Sequence, residues 1–453
     1  MYSRKESSAG AYYPTFLCMD LDVADSLDYL LHYPMDPHIE ALFLHEYIHY
    51  LQDLTTVSGY ARICVVADTM KWAANNCKKR NIRVPLQPKD VSSFNLDIND
   101  QHLRTSEGNG RILHDPKINA VVGFELTEKE MMAPNKKKIT VPVDAVFTFR
   151  DTVGQEYNYH VGEYAISECQ AYMIEQHIYP NTIDPYSPAP DCPYRVVQKI
   201  FETCCPRYYD LWSMLAACEA CLMHVIPGMA LKNLIDELNQ TPNRITPEQV
   251  FFLGISTNLL AKSGQRVSYM EGINSYNNQV VKQLSGYFKA SYFTDCREFI
   301  EKIFPVALEY RKWHPFAILE IARGGWVFQN KTLKFAASIL GCSSIMTKDG
   351  GITQLCPICH MGELGPGVFA SFKFLHDLLF TDTLPNNHMI NACPLKKWCT
   401  SSFAKQNLED ITQRQDAYCD HMPWLNANNI TLLRQCVFGR VAASFGLQGK
   451  NLR

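Results

Sequence analysis

The stretch LFLHEYIHYLQD, residues 42–53, decides how this sequence is interpreted. Two histidines, His45 and His49, stand four positions apart, and Glu46 lies between them. In an α-helix, positions i and i+4 lie one above the other on the same face, so both imidazoles can point at one metal ion. The stretch therefore predicts a metal site, provided that it is helical.

The surrounding residues predict a largely buried helix from residue 36 to about residue 54. Asp36 can cap the free backbone N–H groups at its start, and Pro37 suits the first helical position. Apolar residues cover most of the helix circumference, which is typical of a buried helix. Because a glutamate and two histidines are costly to bury without partners, this context favours metal binding over a structural histidine pair.

The residue types in this pattern suit hydrolysis. Zinc held by two imidazoles and one more protein ligand keeps a position for water and lowers the pKa of that water to about 7. A neighbouring carboxylate can take the proton from the water, and we predict this role of general base for Glu46. The activated water can then attack a peptide carbonyl.

Composition excludes several classes of partner. The 453 residues are 47% hydrophobic and 20% charged, and their formal net charge of −3 gives no general attraction to nucleic acid or to an anionic membrane. The opening MYSRKESSAGAYYPTF does not resemble a signal peptide, and no run of about 18 apolar residues occurs. Seventeen cysteines without regular spacing fit free thiols in a reducing compartment. We expect a cytoplasmic protein without nucleic-acid or membrane partners.

We predict an α+β fold with three regions. Residues 1–190 would form a catalytic domain of helices and a small sheet, residues 191–340 a helical domain, and residues 341–453 a cysteine-rich helical region. The segments INAVVGFELT, ITVPVDAVFTFRD and EYNYHV are rich in β-branched and aromatic residues, which predicts a small antiparallel sheet. Helix returns at VGEYAISECQAYMIEQ.

HEYIH in an apolar helix resembles the motif of the zincin metallopeptidases. The resemblance implies a zincin-like N-terminal domain and zinc-dependent endopeptidase activity. In the metzincin branch a glycine and a third histidine follow the motif, but Gln52 and Thr55 occupy those positions here, which disfavours that branch. The gluzincin branch takes a glutamate from a later helix as its third ligand. GEYAISECQAYMIEQ is similar to that helix and has Glu168 in an E-x-x-A setting.

The third metal ligand has three candidates on sequence grounds. Glu168 is the predicted ligand from the resemblance. Glu163 lies earlier on the same segment, and Asp68 stands near the spacing of short-spaced gluzincins but has a shorter side chain. Asp53, one turn after His49, can orient a ligand imidazole or serve a surface or capping role.

The family usually supplies a tyrosine or histidine that stabilises the charge on the attacked carbonyl oxygen. His160, just ahead of the predicted third-ligand helix, is the residue that we predict for this role. Tyr157 and Tyr159 are alternatives, and all three can equally be packing residues of a strand.

Cysteines mark a second candidate metal site. CPICH places Cys356 and Cys359 at the spacing of a zinc knuckle, and ACPLKKWC adds Cys393 and Cys399, with YCDH at residues 418–421 further on. Four thiolates can hold a structural zinc. The wide spacing of the second pair favours reduced thiols over this zinc. CEAC, in the apolar run LWSMLAACEACLMHVI, predicts core cysteines at Cys218 and Cys221.

The sequence therefore predicts a zinc-dependent endopeptidase with His45, His49 and Glu168 as metal ligands. A protein or peptide is the expected substrate, and narrow specificity for one cognate partner is a means of restraining such an enzyme. Two other classes stay open. One is a non-catalytic binding or scaffold protein with a structural zinc, and the other is a metal-dependent amidase or esterase.

Overall fold

Helices dominate the computed structural model, and small sheets complete an α+β fold, as the sequence predicted. Among the helices of the described ranges, none combines the length and the apolar character needed to cross a membrane. The structure describes residues 10–21, 31–77, 81–82, 86, 108–109, 116–132, 138–180, 182, 189–257, 268–347, 352–359, 365–380, 395, 437–447 and 451–452.

The elements are numbered in chain order. The strands are β1 (Gly10–Tyr13), β2 (Cys18–Leu21), β3 (Asn81–Ile82), β4 (Ile118–Met132), β5 (Lys138–Asp151), β6 (Glu156–Val161), β7 (Cys342–Thr347), β8 (Ile352–Leu355) and β9 (Asn451–Leu452). The helices are α1 (Pro37–Thr55), α2 (Val57–Asn76), α3 (Glu163–Ile178), α4 (Asp191–Tyr194), α5 (Val196–Cys204), α6 (Leu211–Cys221), α7 (Pro227–Gln240), α8 (Pro247–Thr257), α9 (Tyr269–Ser285), α10 (Thr294–Trp313), α11 (Ala317–Arg323), α12 (Lys331–Leu340), α13 (Gly365–Phe380) and α14 (Val437–Ser444).

The motif helix α1 starts as predicted, because the Asp36 side chain accepts a hydrogen bond from the backbone N–H of His38 at 2.8 Å. At its other end the Thr56 hydroxyl accepts from the N–H of Gly59 at 3.1 Å and so caps α2. The two helices pass so closely there that a Cβ on Gly59 would lie 2.6 Å from the Cα of Asp53. Only glycine fits at this corner.

The three segments predicted as strands form the antiparallel sheet β4-β5-β6, which is confirmed. Its last pair aligns Phe147 with Tyr159 and Phe149 with Tyr157. Strand β6 ends at Val161, and α3 begins two residues later at Glu163. The sheet therefore sets where the predicted third-ligand helix starts.

A second sheet, in the order β1-β2-β7-β8, was not predicted. Strand β2 pairs in parallel with β7, from Cys18 opposite Ser344 to Leu21 opposite Thr347, and the outer pairs are antiparallel. Its strands have four to six residues each. Such short segments carry little periodic signal, and the paired residues Cys18 and Ser344 are 326 positions apart in the chain. The predicted first and third regions thus share a sheet.

Two tyrosines of α1 tie the motif helix to the end of α12. The hydroxyl of Tyr50 donates to the carbonyl of Leu340, and that of Tyr47 donates to the carbonyl of Gly341, both at 3.0 Å. These carbonyls end a helix and need partners, so the bonds satisfy them and orient α1. In α6, Cys218 and Cys221 are buried core thiols, as predicted.

Candidate metal centre

Packing of α1 against α3 brings two histidines and one glutamate together. His45 Nε2 lies 3.2 Å from Glu168 Oε2, and His49 Nε2 lies 3.4 Å from the same oxygen. His45 is 8% exposed, His49 is 4% exposed and Glu168 is 1% exposed. Among the described residues, these three side chains form a group whose ligand atoms all lie within 4.8 Å of one another, so that they can hold a metal ion.

The charges around His45 call for a cation. Its Nδ1 lies 2.9 Å from Glu175 Oε2, so each ring nitrogen faces a carboxylate. A neutral imidazole has only one N–H and cannot donate to both. Burial lowers the pKa of His45, but the hydrogen bonds with Glu168 and Glu175 outweigh it and raise this pKa to about 10. A second proton or a metal ion supplies the missing positive charge.

The donor geometry fits a metal ion. Nitrogen and oxygen ligands bind an ion such as zinc at roughly 2.0–2.1 Å, and tetrahedral geometry then places them roughly 3.3–3.4 Å apart. The two observed nitrogen–oxygen separations, 3.2 and 3.4 Å, agree with this spacing. In addition, the buried Nε2 of His49 neither donates nor accepts a hydrogen bond. The His45–His49–Glu168 group can therefore hold a metal ion.

A chain of amides sets which nitrogen of His49 carries its proton. The carbonyl of Leu215 can only accept, so the Gln170 NH2 group faces it at 3.2 Å. The Gln170 oxygen then accepts a hydrogen bond from the Gln52 NH2 group at 2.8 Å. The same NH2 group also donates to the carbonyl of Ser167. The Gln52 oxygen is left to accept from His49 Nδ1 at 2.8 Å. His49 is thus protonated at Nδ1, and the lone pair of Nε2 faces the centre.

This chain of amides predicts a measurable effect of Gln170→Leu. The substitution keeps the volume of the side chain but removes the oxygen that orients the Gln52 amide, so the Nδ1–H form of His49 loses its support. We expect the centre to bind a metal ion about 10–100-fold more weakly, measured with zinc as the probe ion in competition with a chelating indicator dye. Gln283→Leu is the control, because the Gln283 amide bonds to Asp68 outside the centre. Equal zinc affinities in the two variants would contradict the role of the chain.

Glu46 lies on α1 between the two ligand histidines and is 4% exposed. Its charge is among the causes that raise the pKa of His45. A buried glutamate and two buried histidines thus lie on one helix.

The other two candidates for the third ligand lie elsewhere. Glu163, buried at the start of α3, pairs with Arg62 at 2.8 Å. Asp68 on α2 accepts from Gln283 at 3.3 Å and is outside the His45 group. Asp53 also pairs with Arg62 and accepts from Tyr12 and Thr15, so it does not orient an imidazole. Of the three candidate ligands, only Glu168 lies with the histidines.

The three residues considered for charge stabilisation lie in strand β6. Tyr159 is fully buried, and Tyr157 stacks on Phe149 with ring centroids 5.4 Å apart. His160 Nδ1 lies 3.6 Å from Asp144 Oδ2, and the His160 side chain is 43% exposed. The sequence interpretation missed a phenol that lies near His45. Half-buried Tyr194, at the end of α4, has its ring centroid 6.4 Å from that of His45.

The partners that orient the two ligand histidines were also missed. Glu175 follows Glu168 by seven positions, which is two helical turns, so both point from the same face of α3. That spacing was a usable signal. The roles of Gln52 and Gln170 had no signal in the sequence, because these roles depend on the carbonyl of Leu215 in another helix.

The described geometry supports a buried centre of two histidines and one carboxylate that can hold a metal ion. Comparison of the chain with protein-family models, with curated proteins and with solved structures finds no match.

Proposed function

We propose that the chain is a zinc-dependent endopeptidase in which His45, His49 and Glu168 hold the metal and Glu46 is the general base. One observation carries the proposal. Two imidazole nitrogens each lie within 3.4 Å of one carboxylate oxygen, and a buried glutamate stands between the two histidines on the same helix. A purely structural zinc needs four protein ligands and no such base.

The donor set favours zinc. Two imidazoles and one carboxylate leave one position of a tetrahedral site for water, which is typical of catalytic zinc. Zinc bound there would acidify that water and polarise the carbonyl of the substrate. Glu175 bonds to Nδ1 of His45, and Gln52 bonds to Nδ1 of His49. These bonds keep the two imidazoles oriented so that each Nε2 faces the metal.

Two further roles, proton transfer and stabilisation of the charge on the carbonyl oxygen, belong to residues of the chain. The Glu46 carboxylate accepts a proton from the attacking water and delivers it to the leaving amine. Negative charge on the carbonyl oxygen needs a donor, and the chain offers two candidates, the predicted His160 and Tyr194. Tyr194 has the better support, since it lies beside His45.

Cleavage of peptide bonds tests the function directly. The zinc-loaded full chain is incubated with a peptide library from a digested proteome and with a folded cell lysate, and new termini are identified by mass spectrometry. We expect new termini that disappear after removal of zinc by a chelator and return when zinc is restored. Esterase or amidase activity on small chromogenic substrates without new termini would overturn the peptidase. Zinc binding without any hydrolysis would indicate a binding protein.

A further inference from the structure

The segment after β8 brings two thiols together. Cys356 and Cys359 are thiols whose sulfurs lie 3.6 Å apart, and both side chains are partly exposed. A disulfide needs about 2.05 Å between its sulfurs. A tetrahedral zinc with zinc–sulfur bonds of about 2.3 Å places two sulfurs roughly 3.8 Å apart. The observed separation is close to the spacing that one zinc ion requires.

The turn between the two thiols is short and restricted. Pro357 and Ile358 separate Cys356 from Cys359, which is the spacing of a zinc knuckle. Proline fixes φ at Pro357 and so limits the backbone of the turn that carries both sulfurs.

The pair lies beside the first turns of α10. Cys296, in the first turn of that helix, is a buried thiol. Glu298 and Lys302, the charged neighbours of Cys359, pair with each other. An ion at the two sulfurs would thus link the β7–β8 hairpin to α10.

We propose that Cys356 and Cys359 bind a zinc ion as thiolates, at a structural site distinct from the His45 centre. They supply two of the four positions that a structural zinc needs. The predicted partners Cys393 and Cys399, and residues 418–421, lie outside the described residues. The geometry of the first pair is what now favours zinc over the reduced thiols expected from the sequence.

The zinc count per chain tests this site. It is measured by elemental analysis for the wild type and for two double variants, Cys356→Ala/Cys359→Ala and His45→Ala/His49→Ala. Cys218→Ala/Cys221→Ala is the matched control, because it removes a second C-x-x-C pair that is fully buried in α6. We expect two zinc ions in the wild type and the control, and one in each of the other variants. A wild-type count of one that only the histidine variant loses would overturn the proposal.

Two further readouts keep the test decisive if the cysteine variant fails to fold. Cobalt loaded into the wild type should show thiolate-to-cobalt charge-transfer absorption. Zinc should also protect Cys356 and Cys359 of the wild type from alkylation, as mapped by mass spectrometry. Rapid alkylation of both thiols in the zinc-loaded chain would overturn the site. None of these measurements depends on hydrolysis, so the peptidase and the thiolate site can fail separately.

Discussion

We expect peptide-bond cleavage, the proposed activity, to fall by about 10²–10⁴-fold when Glu46 is replaced by glutamine, while the bound metal ion is retained. This is the usual contribution of a general base, and glutamine has nearly the same shape but cannot accept the proton. None of the three metal ligands changes, so metal retention separates loss of chemistry from loss of the centre. The rate of appearance of new termini, with the zinc content of the same sample, is the measurement.

Glu40→Gln is the matched control for Glu46→Gln. Glu40 is a buried glutamate of the same helix, but the Met35 N–H donates to one of its carboxylate oxygens and the Tyr179 hydroxyl donates to the other. In a glutamine, the oxygen can still accept from Met35 and the NH2 group can donate to the Tyr179 hydroxyl oxygen. We expect the control to cleave as the wild type does. Cleavage by Glu46→Gln at the wild-type rate would place the base on another residue, and loss of zinc would give Glu46 a structural role instead.

The second large effect concerns stability. Glu219 on α6 and Arg311 on α10 form an ion pair at 2.5 Å in which neither side chain is exposed. Glu219 also accepts from the N–H groups of Ile318 and Leu319 at the start of α11. Glu219→Gln leaves the Arg311 charge buried without its counter-ion. We expect a loss of about 3–5 kcal/mol in the free energy of unfolding, measured by urea denaturation.

Glu202→Gln is the control for this pair. Glu202 lies 2.9 Å from Lys199 on α5, and its side chain is 46% exposed. Exposed pairs contribute about 0–1 kcal/mol, so this variant should unfold almost as the wild type does. If the two variants lost equal stability, the buried pair would not be the link between α6 and α10 that its contacts suggest.

Local sequence patterns predicted the elements around the site well. The cap at Asp36 and the apolar surface of α1 depend on neighbouring residues, so the motif helix was predicted with its start. The sheet β4-β5-β6 was predicted because its strands are long or adjacent in the chain. The sheet β1-β2-β7-β8 was missed, because strands of four to six residues carry too little periodicity to be recognised. In addition, Cys18 of β2 and Ser344 of its partner β7 are 326 positions apart in the chain.

The two histidines and the glutamate between them follow from the sequence alone, because i and i+4 positions share a helix face whatever surrounds them. The choice of the third carboxylate does not. Glu163, Asp68 and Glu168 all carry a carboxylate. Only the packing of the helices places Glu163 against Arg62, Asp68 against Gln283 and Glu168 against the histidines. The proton on His49 is likewise decided by a carbonyl in α6, since hydrogen bonds reach across helices that sequence spacing cannot place together.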